Sequence, residues 1–556
     1  MPRFFIKVFV PGPFFEPLTY QSEVLIGTGL RVVVPLGTRE VIGISAGQAT
    51  DPDTENQIKS IVSVIDQEPI ISPKHQALVD FTSAYYLAPP GDVLLSSLPT
   101  SIRKGKPLPA PKTEAGHQNQ PAYELTREQK QAVIEVDQSA NQFQSFLLQG
   151  VTGSGKTQVF SELISRTIKR RQQVLLLVPE IGLTGQMVNR IQDQLDGRLS
   201  VSHSGIADGA RAKAFVAASQ GVADVLIGTR SALFTPLPRL GLILVDEEHD
   251  GAYKNQEGCR YSARDLAIVR AKQANIPIVL SSATPSLESW HQAELGKYKR
   301  LRLSARPGQQ PRPTIRLIDA RHDKPKDGLT NTAKRAIENA LDNRQQALVF
   351  LNRRGYSPVL MCTDCGWIPA CRHCDAKPTL HRQPNSLWCH HCDHRQAPVH
   401  ICPECSSSNL LAVGQGTERL EEALTDTYPD VPIIRVDRDT TARRRAFEAL
   451  IEPVIQGKPC ILVGTQMLAK GHDFKNLSTV IVIDADQGLS GADFRSVEHF
   501  AQLLTQVSGR AGRHGGATGQ VLIQTHRPES EWLDRILKQN YDHLALAIMA
   551  ERKQFQ

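Results

Sequence analysis

Ser145-Phe-Leu-Leu-Gln-Gly150-Val-Thr-Gly153-Ser-Gly155-Lys156-Thr157 carries an apolar run straight into a glycine loop that ends in Gly-Lys-Thr. Residues 150–157 fit the pattern G-x-x-x-x-G-K-[ST], and the residues that follow repeat apolar side chains at helical spacing: Val159, Phe160, Leu163, Ile164 and Ile168. A strand, a glycine loop and a helix in that order form a phosphate cradle. Gly150, Gly153 and Gly155 let backbone N–H groups approach the phosphates, and the helix N-terminus adds its positive dipole end. Lys156 reaches the β- and γ-phosphates, and Thr157 holds Mg²⁺. The expected ligands are ATP and Mg²⁺.

Ninety residues beyond Lys156, Leu242-Ile-Leu-Val245 runs into Asp246-Glu247-Glu248-His249. A strand ending in an acidic pair sets carboxylates at the C-terminal edge of a sheet, beside the phosphate loop. Asp246 is expected to position Mg²⁺ and Glu247 to orient or deprotonate the attacking water. Ser281-Ser-Ala-Thr284 closes another apolar run and is placed to couple the phosphate state to nucleic acid. Gln506-Val-Ser-Gly-Arg510-Ala-Gly-Arg513 spaces two arginines so that one or both serve as arginine fingers on transferred charge. Pro179-Glu-Ile, Gly228-Thr-Arg230 and Thr465-Gln-Met follow strands in positions where loops grip a single strand by its phosphates.

Around these motifs, apolar runs alternate with helical patterns, which predicts an α/β fold with parallel sheets covered on both faces. The first alternation fills residues 123–304. ARPGQQPRP at 305–313 breaks it as a hinge, and a second alternation fills 314–530, with a helical tail at 531–556. Residues 1–102 read as a small β-rich domain with a helix near His75–Ala88, and the proline-rich, basic stretch 103–122 as a linker. No internal sequence repeat is visible.

The 556 residues should divide into roughly three or four domains. Hydrophobic residues at 40%, charged residues at 22% and a formal charge of +7 describe a globular chain of mildly basic balance, which suits phosphate binding without proving it. No run approaches the roughly 18 apolar residues of a membrane span, and Lys7, Pro11 and Pro13 break up the N-terminal segment, so no signal peptide and a cytoplasmic location are expected.

Eight of the ten cysteines fall within residues 361–410 as four C-x-x-C knuckles: Cys362/Cys365, Cys371/Cys374, Cys389/Cys392 and Cys402/Cys405. Each knuckle gives two thiolates, so four make two tetrahedral Zn²⁺ sites. Only five residues separate the first two knuckles, whereas fourteen separate Cys374 from Cys389. The spacing favours a nested arrangement, with Cys371, Cys374, Cys389 and Cys392 inside and Cys362, Cys365, Cys402 and Cys405 outside; a crossed arrangement is the alternative. With four thiolates on each metal the sites are structural, and His373, His381, His390, His391, His394 and His400 are left as surface or DNA-facing residues. Cys259 and Cys460 read as isolated buried thiols.

GVTGSGKT, VDEEHD, SSATPSLES, FLNRRGY, GTERLEE, GTQMLAKGHDF, DFRS and QVSGRAGR together resemble the PriA family of primosomal replication-restart helicases, in helicase superfamily two. The resemblance runs from about residue 123 to 550 and is weaker in the first hundred residues. It implies two RecA-like motor lobes, an N-terminal domain that binds a DNA 3′ end and a two-zinc insert in the second lobe. It also implies ATP-dependent 3′-to-5′ unwinding at stalled or abandoned forks, and assembly of a primosome to restart replication. Single-stranded and forked DNA, primosome proteins, single-stranded-DNA-binding protein and the loader of the replicative helicase are the implied partners. Gln129, in LTREQKQAV, matches the adenine-reading glutamine; Lys156, Asp246, Glu247, Arg510 and Arg513 match the motor residues; and nested zinc pairing is supported. A translocase that moves on DNA without separating it, or a zinc-dependent loading scaffold, is the alternative.

The chain departs from the family pattern in several places. Its linker occupies the position where many members have a winged-helix domain, and it stops near where they continue into a C-terminal DNA-binding domain. Cys259 and Ser262 stand where an aromatic and a histidine are usual. In the N-terminal domain, Glu16-Pro-Leu-Thr19-Tyr20 aligns with a Phe-Asp-Tyr context whose aspartate helps read the terminal nucleotide, so Thr19 replaces that carboxylate, while Gly37 and Lys59 match pocket positions.

Overall fold

The computed structural model describes residues 3–50, 58–116, 124–179, 184–304, 313–351, 359–374, 378–382, 385–389, 392–413, 417–436, 451–465, 474, 476–483, 485–489, 493–512, 519–538 and 540–554. The chain divides into two compact units, residues 1–150 with 155–304, and residues 151–154 with 305–556. The expected hinge falls almost wholly on 305–312, outside the described residues.

The N-terminal strands are β1 (Phe4–Phe9), β2 (Leu18–Ser22), β3 (Arg31–Leu36), β4 (Arg39–Gln48) and β5 (Ser63–Val64), in the antiparallel order β2-β1-β4-β3-β5. Period-two alternation sets the faces: Ile6 and Val8 are buried while Lys7 between them is exposed. The β3–β4 hairpin turns on Gly37, whose φ of 65° suits a two-residue turn matched to strand twist. Arg31 is fully buried at the end of this sheet. Its guanidinium donates to Asp66 at 2.6 and 2.9 Å and to the carbonyls of Ile102 and Lys106 at 2.7 and 2.8 Å. Asp66→Ala leaves that charge buried without its anion and should cost about 3–5 kcal/mol. Faster hydrogen exchange, greatest across residues 1–102, is the expected reading.

Two helices, Pro73–Tyr86 and Pro90–Ser97, carry this small sheet onto the next layer. Ser72 caps the first, with proline at its start. One apolar core runs from Ile44, Leu78, Val79 and Leu94 through Phe234, Leu237, Leu266 and Ala267 to the inner strands of the parallel sheet. Polar bonds stitch the same seam. Asp208 accepts the backbone N–H groups of Thr100 and Ser101 at 2.8 and 2.7 Å, and the Tyr86 hydroxyl accepts from Ser262 N at 3.1 Å.

The large sheet of this unit comprises β6 (Glu114–Ala115), β7 (Ser145–Gly150), β8 (Gln173–Leu177), β9 (Arg198–Ser202), β10 (Val225–Gly228), β11 (Leu240–Val245), β12 (Ile278–Ser282) and β13 (Lys299–Leu303). Its order is β13-β7-β12-β11-β8-β10-β9-β6, parallel throughout except for β6. Within the stretch read as a linker, Glu114 and Ala115 therefore close the sheet edge, and Ser200 Oγ donates to Lys112 O at 3.2 Å. Neither the short strand nor its pairing has a periodic signal that sequence reading could detect. The continuous burial of β8 and β12 is what a parallel sheet covered on both faces requires.

In the second unit β14 (Thr314–Asp319) and β15 (Gln346–Leu351) precede an insert built on β16 (Val359–Cys362), β17 (Thr379–Arg382), β18 (Asn385–Trp388), β19 (Arg395–Gln396) and β20 (Leu410–Val413). The sheet resumes with β21 (Ile433–Val436), β22 (Cys460–Gly464), β23 (Leu477–Ile483) and β24 (Gln520–Thr525), giving the parallel order β14-β24-β23-β15-β22-β21. The two units share a device that no sequence repeat advertises. Gln173 opens β8 and donates to the carbonyls of Ala218 and Ala223 at 3.0 and 2.7 Å; Gln346 opens β15 and donates to those of Val454 and Lys458 at 2.8 and 2.9 Å. Each buried carboxamide bridges two carbonyls where a helix ends and the chain turns toward the sheet. Among the described residues no helix is long and apolar enough to cross a membrane.

Candidate nucleotide site and zinc insert

β12 lies between β7 and β11, so the phosphate loop, the acidic segment and Ser281–Thr284 leave neighbouring strands at one sheet edge. After β7 the chain turns through Gly153 at φ 83° and Gly155 at φ 82°, a region open to glycine, and enters the helix Lys156–Lys169. A Cβ on Gly155 would stand 2.2 Å from the Gln129 amide nitrogen, so glycine is also required for close packing. Gln129 is buried, and its side-chain oxygen accepts Thr126 N at 2.8 Å while Thr126 Oγ1 accepts Gln129 N at 3.3 Å. This capping box fixes the helix Arg127–Asp137 and holds Gln129 beside the loop. Lys156 Nζ donates to Gly150 O at 3.0 Å, folding its charge over the loop from inside. Thr157, next along the helix, is half-buried.

Asp246 sits at the floor of the site, where its Oδ1 accepts from Ser281 Oγ at 3.3 Å. Desolvation, then the neighbouring Glu247 carboxylate, push its carboxyl up to about 7, while Lys156 draws it down. A carboxylate left short of positive charge fits a divalent cation. Glu247 adopts φ 43°, which for a non-glycine residue stores about 1–3 kcal/mol of strain of the kind that collects at working sites. Its Oε2 is buried without a hydrogen bond and lies 3.6 Å from His249 Nδ1. His249 Nδ1 also meets Ser282 Oγ at 2.7 Å, and Ser282 Oγ accepts Thr284 N at 2.9 Å, which ties the acidic segment to the next loop.

Two supporting residues carry no signature in the sequence. Tyr253 is buried, and its hydroxyl donates to the carbonyls of Asp246 and Leu177 at 2.6 and 3.0 Å. Glu248 reads as a mere companion of its acidic neighbours, yet it is buried at 1% exposure among polar donors. Only the fold brings those donors together.

Arg510 follows the helix Ser496–Ser508 and its cap Gly509, in the second unit; Arg513 lies outside the described residues. Of the strand-gripping candidates, Glu180, Ile181 and 466–473 also lie outside, while Arg230 is held by a 3.4 Å bond to Ala252 O. In the N-terminal sheet Lys59 Nζ donates to Gly37 O at 2.9 Å, and Gln21, two residues after Thr19, bonds through its backbone to Lys59 O at 3.0 Å. Gly37 and Lys59 are thus in contact, Thr19 lies on the strand whose Gln21 meets Lys59, and Glu16 is exposed on the approach to β2.

The eight knuckle cysteines form two tetrads, Cys362, Cys365, Cys402 and Cys405, and Cys371, Cys374, Cys389 and Cys392, with the sulfurs of each tetrad within 4.8 Å of one another. Sulfur pairs stand 3.5–3.6 Å apart, too far for disulfides and near the ~3.8 Å edge of a tetrahedron of zinc–sulfur bonds. The pairing is nested. The reason is topological: β16 and β20 pair antiparallel with Cys362 opposite Leu410, closing the outer module around the β17-β18-β19 sheet. The His373 backbone N–H, 3.4 Å from the Cys371 sulfur, draws that thiol down to about 7, toward the thiolate that zinc binds. Asp364 anchors the outer knuckles, accepting from Ser407 at 2.6 Å, Asn409 at 2.7 Å and Lys324 at 3.2 Å. His373 is exposed and stacks on the half-buried His394 at 3.9 Å, and His400 is exposed; His390, His391 and the side chain of His381 lie outside the described residues. Cys460 is buried as expected, but Cys259 is only half-buried.

Four family models match the chain: the PriA 3′ DNA-binding domain at residues 7–99, the DEAD/DEAH box helicase at 126–293, the PriA DNA helicase Cys-rich region at 371–396 and the helicase conserved C-terminal domain at 399–515. The replication restart protein PriA of Haemophilus influenzae is 36% identical over 97% of this chain and 84% of its own length. That of Rickettsia felis is 35% identical over 94% of this chain and 81% of its own. The Bacillus subtilis protein is 41% identical over 77% of this chain, which spans 54% of that longer relative. The motor motifs, the nested cysteines and these identities lead to one conclusion: the chain belongs to the PriA family of replication restart helicases.

Proposed function

We propose that the chain is a DNA-dependent ATPase that unwinds DNA 3′-to-5′ at stalled or abandoned forks and helps assemble the primosome there. The observation that carries this reading is the meeting of Lys156, Asp246 and a backbone-strained Glu247 at one sheet edge. Gly150, Gly153 and Gly155 cradle the phosphates, Lys156 neutralises their charge and Gln129 reads adenine. Thr157 and Asp246 would hold Mg²⁺, which would supply charge neutralisation to the bound nucleotide. Glu247 orients the attacking water and accepts its proton, and Arg510 and Arg513 stabilise the transferred charge. The eight cysteines hold two Zn²⁺ ions that serve structure. A soluble, cytoplasmic protein fits this work, with single-stranded and forked DNA, single-stranded-DNA-binding protein, primosome proteins and a helicase loader as partners.

The test is ATP hydrolysis measured in parallel with single-stranded DNA, duplex, fork and RNA. Strong stimulation by single-stranded and forked DNA is expected; equal stimulation by RNA, or none by any of them, would remove the reading.

Recognition of a nascent 3′ end should be weak. A threonine at position 19 offers one reorientable hydroxyl where a carboxylate would accept two bonds, which costs on the order of 1.5–3 kcal/mol, or about tenfold to a hundredfold in preference. Forks with a free and with a blocked 3′ terminus should therefore drive hydrolysis nearly equally. A strong preference for the free end that disappears in Glu16→Ala would instead assign the missing carboxylate to Glu16.

A further inference from the structure

Glu248 is set apart from the two carboxylates before it by where its side chain goes. It enters a buried pocket of polar partners and is fully enclosed. Its Oε1 accepts Ser286 N at 2.7 Å; its Oε2 accepts Ser289 Oγ at 2.8 Å and Ser286 Oγ at 3.0 Å, with Arg264 at 3.3 Å. Arg264 also donates to Ser286 Oγ at 2.7 Å, so the network closes on itself. Its own backbone N–H is bound to Ser281 O at 3.0 Å. Ser286 is the cap of the helix Leu287–Glu294, and Arg264 lies in the first turn of the helix Ala263–Ala274. Three elements are therefore pinned to one carboxylate: the acidic segment, the helix after Ser281–Thr284, and the helix entered from the loop at 254–262.

The residue this pins is Glu247. On its other side Asp246 is held by Tyr253 and Ser281, and on this side Glu248 is held by five bonds, so the left-handed backbone of Glu247 lies between two anchored neighbours. We infer that Glu248 is a positioning residue for hydrolysis, a buried anchor that keeps Glu247 in its strained conformation and links it to Arg264. The inference rests on the reading of Glu247 as the group that orients water. The loop ahead of Arg264 is itself tied down, with Lys254 over the Tyr86 ring at 5.4 Å and Ser262 N on the Tyr86 hydroxyl, so displacement of that loop has a mechanical route to Glu247 through Arg264 and Glu248.

The test is steady-state hydrolysis by the full chain at saturating single-stranded DNA. Glu248→Gln keeps shape and one acceptor but loses the charge facing Arg264. It should lower kcat about tenfold or more with KM for ATP and DNA affinity within about threefold, the signature of lost transition-state positioning. Ser289→Ala, which removes one donor and leaves the ion pair, should lower kcat about threefold and gives the reading if Glu248→Gln folds poorly. Glu248→Gln combined with Arg264→Gln should fall little below the worse single variant, because both break one network. Unchanged kcat with only a lower melting temperature would overturn the inference, as would fully additive losses. Glu247→Gln, run beside them, separates the two levels: retained turnover there means that the reading of Glu247 is wrong, whereas abolished turnover with fully active Glu248→Gln means that the positioning role alone is wrong.

Discussion

Glu247→Gln and Lys156→Ala should each bring DNA-stimulated ATP hydrolysis to background while leaving DNA binding within about twofold. A positioned general base contributes about 10²–10⁴-fold to a rate, and the glutamine analogue keeps the shape of Glu247 but cannot take the proton. Loss of Lys156 removes the cation that neutralises phosphate charge as it develops and that draws the Asp246 carboxyl down. Binding should survive because the candidate strand-gripping segments leave other loops, Arg230 among them. Hydrolysis and fluorescence anisotropy on the same preparations make the check. Retained turnover in both variants would mean that the phosphate site has been misassigned.

The second large effect concerns metal. Metal analysis should find two zinc ions per chain, one for each tetrad. Structural zinc contributes about 10–16 kcal/mol in isolated fingers, so loss of one ligand should empty its site and unfold the small sheet around it. Cys371→Ser should reduce the count to one, leaving Cys362, Cys365, Cys402 and Cys405 loaded, since the outer module is closed independently by β16, β20 and Asp364. Unwinding should fall more than hydrolysis, because the nucleotide-binding motifs lie elsewhere in the chain. One zinc in the unmodified protein, or loss of both in Cys371→Ser, would contradict two independent nested sites.

The parts of this molecule that could be read from sequence are those whose chemistry depends on residues close together in the chain. The glycine loop, the acidic segment and the four knuckles declare themselves because a phosphate cradle and a metal corner each need a short, fixed spacing. Even the nesting of the zinc sites leaves a trace, since the linker between Cys365 and Cys371 is too short for comfortable pairing. What escapes is chemistry assembled from a distance. Tyr253 supports Asp246 by its hydroxyl, and Glu248 gathers Ser286, Ser289 and Arg264 from two helices, and no local pattern marks either. Gln173 and Gln346 do equivalent work in the two units, but a buried glutamine at the start of a strand looks like a polar interruption. The fusion of the N-terminal module with the first parallel sheet is invisible for the same reason: Leu78, Leu94, Phe234 and Leu266 look like four separate cores until they share one.

Strand displacement from partial duplexes distinguishes a 3′-to-5′ helicase from a motor that only hydrolyses ATP. A labelled strand is annealed to a longer DNA strand with a single-stranded 3′ tail or a single-stranded 5′ tail, and release is followed with ATP and with a non-hydrolysable analogue. A 3′-to-5′ helicase releases the strand with ATP from the 3′-tailed substrate, releases little from the 5′-tailed one and none with the analogue, and Lys156→Ala releases none. ATP hydrolysis stimulated by both substrates with release from neither would contradict that reading, and would leave a translocase in place of a helicase.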